Sequence, residues 1–130
     1  MNRILKFALL GVTALFLVGC GGNTARAEYR HISSDEAQRL METESGYIIL
    51  DVRTQQEYSE GHIPGAICIP NETIGKKPPA ELADKEQMIL VYCRSGRRSK
   101  EAAQKLADMG YKNIVEFGGI IDWHGEVVKD

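Results

Sequence analysis

Two runs of consecutive apolar residues, Tyr47-Ile48-Ile49-Leu50 and Met88-Ile89-Leu90-Val91-Tyr92, constrain this chain more than any other feature. Four or five apolar residues without alternation make a strand covered on both faces. Such strands belong to parallel sheets packed between helices. Shorter strands are expected over Tyr29 to Ile32, over Ala66 to Ile69, where Pro70 closes the strand, and over Asn113 to Phe117. The intervening segments read as helices. Ser33 and Glu36 have capping-box spacing and open one through Ala37, Leu40 and Met41; Thr54 caps a short one over Glu57 and Tyr58, stopped by Gly61. The clearest helix follows Arg98. Ser99, Ala102, Ala103, Leu106 and Ala107 share one face, and Lys100, Glu101, Gln104, Lys105 and Asp108 face water, with Glu101 and Lys105 as an i,i+4 pair. A small helix from Pro79 through Leu82 and a terminal one from Ile120 to Val127, containing Trp123, complete the reading. The expected fold class is α/β, an open, mostly parallel five-stranded sheet flanked by helices.

The first nineteen residues do not belong to that pattern. Arg3 and Lys6 precede an apolar run from Phe7 to Val18, too short for a spanning helix and suited to a signal-peptide core. The run ends in Leu17-Val18-Gly19-Cys20, which resembles the lipobox of bacterial lipoproteins, where the cysteine is diacylated and the peptide is cut before it. Residues 1–19 are thus expected to be a signal peptide, and 20–27 a tether lipidated at Cys20. The folded domain would occupy 28–130 on the extracytoplasmic side, in the periplasm or at the cell surface. Two acyl chains anchor far better than one. Ala25-Arg26-Ala27 offers a competing site, with cleavage before Glu28 and plain secretion.

The formal net charge of −2 argues against a nucleic-acid partner. Loss of Arg3 and Lys6 would take the 16 Lys+Arg to 14 against 18 Asp+Glu, a net charge of −4. Three cysteines, Cys20, Cys68 and Cys93, are not a disulfide framework, so each needs its own explanation. His31, His62 and His124 are widely separated and lack metal-ligand spacing.

Cys93 follows a buried strand and precedes the clearest helix, with Ser95 and Gly96 between them. Gly96 permits the backbone angles that turn successive N–H groups inward into an anion-binding nest. The helix N-terminus adds unpaired donors and the positive end of its dipole. Arg94, Arg97, Arg98 and Lys100 concentrate positive charge in an otherwise acidic protein. A cysteine placed there is expected to be a thiolate at neutral pH, a nucleophile aimed at an anionic substrate. A core cysteine would gain nothing from three arginines within five residues.

Leu50-Asp51-Val52-Arg53, Glu57-Tyr58, Gly61-His62-Ile63-Pro64-Gly65-Ala66, Cys93-Arg94-Ser95-Gly96-Arg97-Arg98 and Gly118-Gly119 with Trp123 together resemble the rhodanese-like domain, from about Glu28 to the C-terminus. The resemblance implies a sulfurtransferase in which Cys93 takes sulfane sulfur from a small anionic donor such as thiosulfate. The resulting persulfide passes its sulfur to cyanide, a thiol or a protein. Arg94, Ser95, Gly96, Arg97 and Arg98 would bind the donor, and no metal or organic cofactor is implied. Asp51, Arg53 and Glu57 would brace the loop. His62 is expected to hydrogen-bond neighbouring backbone rather than act as a catalytic base, Gly118 and Gly119 to let the chain approach the loop, and Trp123 to sit in the core rather than serve as a substrate platform. Cys68 stands where family members often carry asparagine or an apolar residue, and a packed thiol is expected rather than a resolving one. The chain is expected to act as a monomer.

Two other functions use the same residues. A sulfur-relay module serving one protein partner would load sulfur but turn over free thiosulfate and cyanide poorly. A cysteine-dependent phosphatase would share the thiolate, the backbone cradle and the arginine. Only four residues separate Cys93 from Arg98, one fewer than in the phosphatases that share this fold, so the cradle is expected to be cramped for a phosphoryl group.

Overall fold

The computed structural model describes residues 27–129. Five strands form one sheet: β1 (Arg30–His31), β2 (Ile48–Asp51), β3 (Ile67–Cys68), β4 (Ile89–Cys93) and β5 (Ile114–Gly119). Their order is β1-β5-β4-β2-β3 and every neighbouring pair is parallel. This is the open α/β sheet expected from the two apolar runs, which form β2 and β4 near its centre.

Strand alternation divides the core in two. From β4, Ile89, Val91 and Cys93 face the layer holding Ala102, Ala103 and Leu106 of helix α3 (Arg97–Asp108), while Leu90 and Tyr92 face the layer holding Ala37 of α1 (Ser34–Thr43). Cys93 therefore points toward α3, the helix that follows it. The predicted capping box of Ser33 with Glu36 is present at α1, and Thr54, predicted as a cap, forms a second box with Glu57 at α2 (Gln55–Glu60).

Three expectations are corrected. The terminal helix is only a 3-10 turn, Ile120–Asp122, followed by extended backbone at Trp123. The chain then pairs antiparallel with His62 through Val128, so backbone groups that a helix would have satisfied internally find a partner across the fold. Pro79 opens a single turn closed by the Leu82 N–H on its carbonyl, not a helix. Glu101 and Lys105 do not pair directly: both reach Asn71, Glu101 accepting from its Nδ2 and Lys105 donating to its carbonyl and Oδ1.

Candidate active site

The carboxyl ends of β4 and β5 and the start of α3 meet at Cys93. Pairing between β4 and β5 shifts after Val91, so Cys93 stands opposite Gly119. Gly96 is the N-cap of α3 at φ 120°, a left-handed conformation open to glycine, and no side chain caps the helix. The first-turn N–H groups of α3 consequently stay available to a ligand. The Gly96 N–H itself donates to Cys93 Sγ at 3.0 Å. Cys93 is 1% exposed, and its sulfur also contacts Ser99 Oγ at 3.4 Å.

The loop arginines have separate fates. Arg98 forms a two-pronged ion pair with Glu57, Nη1 to Oε1 at 2.8 Å and Nη2 to Oε2 at 3.1 Å. Its charge also faces Cys93, and Glu57 and Cys93 both hold it in the charged form, Glu57 more strongly. Arg97 turns outward to Glu101 and its side chain is 72% exposed, so only its backbone belongs to the cradle. Arg94 is exposed and, among the described residues, has no carboxylate partner. It lines a hollow of about 440 Å³ with Arg53, Glu57, Gly61, Ile121 and Val127. Ser95 is exposed at the tip of the loop.

Asp51 and Arg53 lie beneath this loop as a buried pair. Arg53 Nη2 reaches Asp51 Oδ2 at 2.7 Å and the Gly61 carbonyl at 2.7 Å, and the Tyr92 hydroxyl donates to Asp51 Oδ2 at 2.8 Å. Burial opposes the Arg53 charge, but hydrogen bonds and attraction to Asp51 more than offset it, so its pKa is raised. Burial, reinforced by Asp51, pushes the Tyr92 hydroxyl upward and keeps it a neutral donor. The pair ties β2 to the C-terminus of α2, which presents Glu57 to Arg98.

His62 Nδ1 lies 2.8 Å from the Tyr58 carbonyl and its ring stacks on Tyr58 at 3.7 Å, in a buried turn. Trp123 is partly buried against Phe117. Cys68 lies on β3 beside Asp51, its thiol 3.5 Å from the Arg53 carbonyl. Burial first, and then the Asp51 carboxylate, push that thiol up to about 11, so it stays protonated and unreactive at neutral pH. Cys20 lies outside the described residues. The sequence reading overlooked Glu116, which is fully buried behind the loop and accepts from Ser99 Oγ at 2.5 Å. A charged residue inside an apolar strand segment of a sheet covered on both faces was the available signal.

The Arg98–Glu57 pair has a measurable consequence. Hydrogen bonds from Arg98, opposed by partial burial and aided by the Thr54 cap, hold the Glu57 carboxyl at about 2 against an ordinary 4.5. A depressed carboxyl stabilises the fold above its unfolded value, and that contribution is lost as pH falls through the folded one. Wild type is expected to exceed Glu57→Gln in stability by on the order of 1 kcal/mol near neutral pH, after screening of this part-exposed pair. Denaturant titrations should show the gap closing between pH of about 4.5 and about 2.

Known proteins place this geometry. The profile of the rhodanese-like domain family matches residues 33–126, and the chain belongs to that family. It is 36% identical over 73 residues to the thiosulfate sulfurtransferase PspE of Escherichia coli (strain K12), covering 56% of this chain and 70% of that one. It is 37% identical over 98 residues to a sulfurtransferase of Allochromatium vinosum, covering 72% and 87%. Among solved structures, a rhodanese with anions from E. coli superimposes with a TM-score of 0.60 at 33% identity, over 65% of this chain and 99% of that one. The chain is a rhodanese-type sulfurtransferase.

Proposed function

We propose that this chain takes sulfane sulfur from a small anionic donor such as thiosulfate and carries it as a Cys93 persulfide to a thiol, cyanide or protein acceptor. The carrying observation is the seat of Cys93 Sγ, 3.0 Å from the Gly96 N–H at the uncapped start of α3. Backbone donors and a helix dipole there favour negative charge on the sulfur and on an arriving anion. In the first half-reaction the thiolate attacks the outer sulfur of thiosulfate. The donor S–S bond breaks and sulfite leaves with its electron pair. In the second, the acceptor attacks the outer persulfide sulfur and Cys93 departs as a thiolate. Arg94 is the side chain free to meet the donor, the loop backbone from Ser95 to Arg98 steadies the persulfide, and Arg98 supplies positive charge from its place on Glu57. The thiosulfate sulfurtransferase activity named for PspE and the anions named with the E. coli rhodanese support this reading.

Incubation with thiosulfate should add one sulfur atom to the Cys93 peptide by mass spectrometry, and cyanide should remove it as thiocyanate. Sustained aryl-phosphate hydrolysis by the purified protein, lost on Cys93→Ser, overturns the reading in favour of a phosphatase.

We also propose that the domain is held at a membrane. Leu17-Val18-Gly19-Cys20 supports lipidation at Cys20. Labelled fatty acid should be incorporated and the protein should partition with membranes, and Cys20→Ser should abolish both. Recovery of an unlipidated chain starting at Glu28 means plain secretion instead.

A further inference from the structure

Glu116 has no part in the donor cradle, yet it lies fully buried directly behind it. Its Oε2 accepts the Ser99 hydroxyl at 2.5 Å and the Gly118 N–H at 2.8 Å, and its Oε1 is 2.6 Å from His31 Nδ1. Ser99 Oγ in turn stands 3.4 Å from Cys93 Sγ. A continuous chain of polar atoms therefore runs from the buried sulfur through Ser99 and Glu116 to His31, whose side chain is 57% exposed. Its outer end opens into a hollow of about 290 Å³ lined by His31, Asp35, Gly118 and His124. A residue needed only to fill space on β5 would be apolar, as the neighbouring Val115 and Phe117 are, because burying a carboxylate costs several kcal/mol.

We propose that Glu116 is a positioning residue that holds, through Ser99, the proton Cys93 sheds on becoming a thiolate. This rests on the sulfur-transfer reading above. The Cys93 S–H bond breaks as its proton passes to Ser99 Oγ. The Ser99 O–H bond breaks as that proton passes to Glu116 Oε2. One negative charge moves from carboxylate to sulfur, no group is oxidised or reduced, and the buried site keeps its net charge. Ser99 then donates to the charged sulfur from one side and the Gly96 N–H from another. His31 connects the carboxyl group to solvent while a donor anion covers the loop. The titratable and charged groups facing the chain are Arg98, held on Glu57, beside Cys93; His31 from β1, with Glu36 of α1 acting on it; and Asp35, Asp122 and His124 at the outer hollow.

The test reads Cys93 without any sulfur donor. Iodoacetamide alkylation of the Cys93 peptide is followed by mass spectrometry across pH in the full chain, Glu116→Gln, Ser99→Ala and the double variant. A proton shared between two sites gives the wild type a rate profile with two steps. Each single variant should show one step and about tenfold slower alkylation at neutral pH, with the double variant no slower than either. Ser99→Ala removes only a hydroxyl and carries the test should Glu116→Gln fold poorly. A single step in the wild type, variant profiles that superimpose on it, or faster alkylation of the variants at neutral pH overturns the proposal. The last is what a fixed buried carboxylate merely opposing charge on sulfur would produce. Failure of the wild type to load sulfur would sink the function and leave this result standing.

Discussion

Cys93→Ser is expected to lower sulfur loading from thiosulfate by about 10³-fold or more, with the fold retained, whereas Cys68→Ala keeps most of the activity. The asymmetry follows from where the two thiols sit. Cys93 faces a backbone N–H at the start of a helix, with an arginine beside it. Cys68 is half-buried beside the Asp51 carboxylate, and burial together with that carboxylate pushes its thiol up to about 11. A serine hydroxyl fits the space of the Cys93 thiol, so thermal midpoints should match. It is a far poorer nucleophile at neutral pH, so the first half-reaction stops. The measurement is the sulfur atom gained per chain after donor treatment, mapped to its peptide. Sulfur found on Cys68 in the wild type, or loading retained by Cys93→Ser, refutes the assignment.

The legible and illegible parts of this site differ in physical kind. The seat of Cys93 was readable because its neighbours set it locally: a buried strand before it, and a glycine and clustered cations at the start of the helix after it. The layering of β2 and β4 was readable for a similar reason, since a run such as Ile89 to Val91 has no solvent face to offer. What escaped depends on partners far along the chain. Glu116 acquires its meaning from Ser99 and His31, 17 and 85 positions away, and its own strand signals a buried charge without naming the groups it meets. Arg98 and Arg97 are adjacent and alike in sequence, yet one reaches across 41 positions to Glu57 while the other faces water. The terminal segment failed as a helix because its backbone at Val128 pairs with His62, a tertiary partner that no local propensity reports.

Gly119→Ala should reduce sulfur loading by about 100-fold or more and destabilise the fold by roughly 1–3 kcal/mol, whereas Gly118→Ala costs only about 1 kcal/mol and largely preserves loading. The two glycines are adjacent but are needed for opposite reasons. Gly118 sits at φ 85°, and a Cβ there meets nothing within 4 Å, so its substitution strains the backbone without touching the loop. Gly119 is extended, at φ −132°, a conformation any residue adopts. A Cβ there would lie 1.9 Å from the Arg94 carbonyl oxygen, 2.3 Å from its carbon and 2.6 Å from Ser95 Cα. All three are backbone atoms, so no rotamer change relieves the overlap, and the Arg94 carbonyl is also held by the Ile121 N–H at 3.3 Å. The active loop itself must move away from β5. Displacement on this scale separates Cys93 Sγ from the donors that stabilise its charge, and misplacement by about 1 Å can cost 10²-fold in rate. Paired measurements of unfolding and sulfur loading for the two variants decide the matter. Equal loading by Gly119→Ala and Gly118→Ala would show that the contact between β5 and the loop does not set the geometry of Cys93.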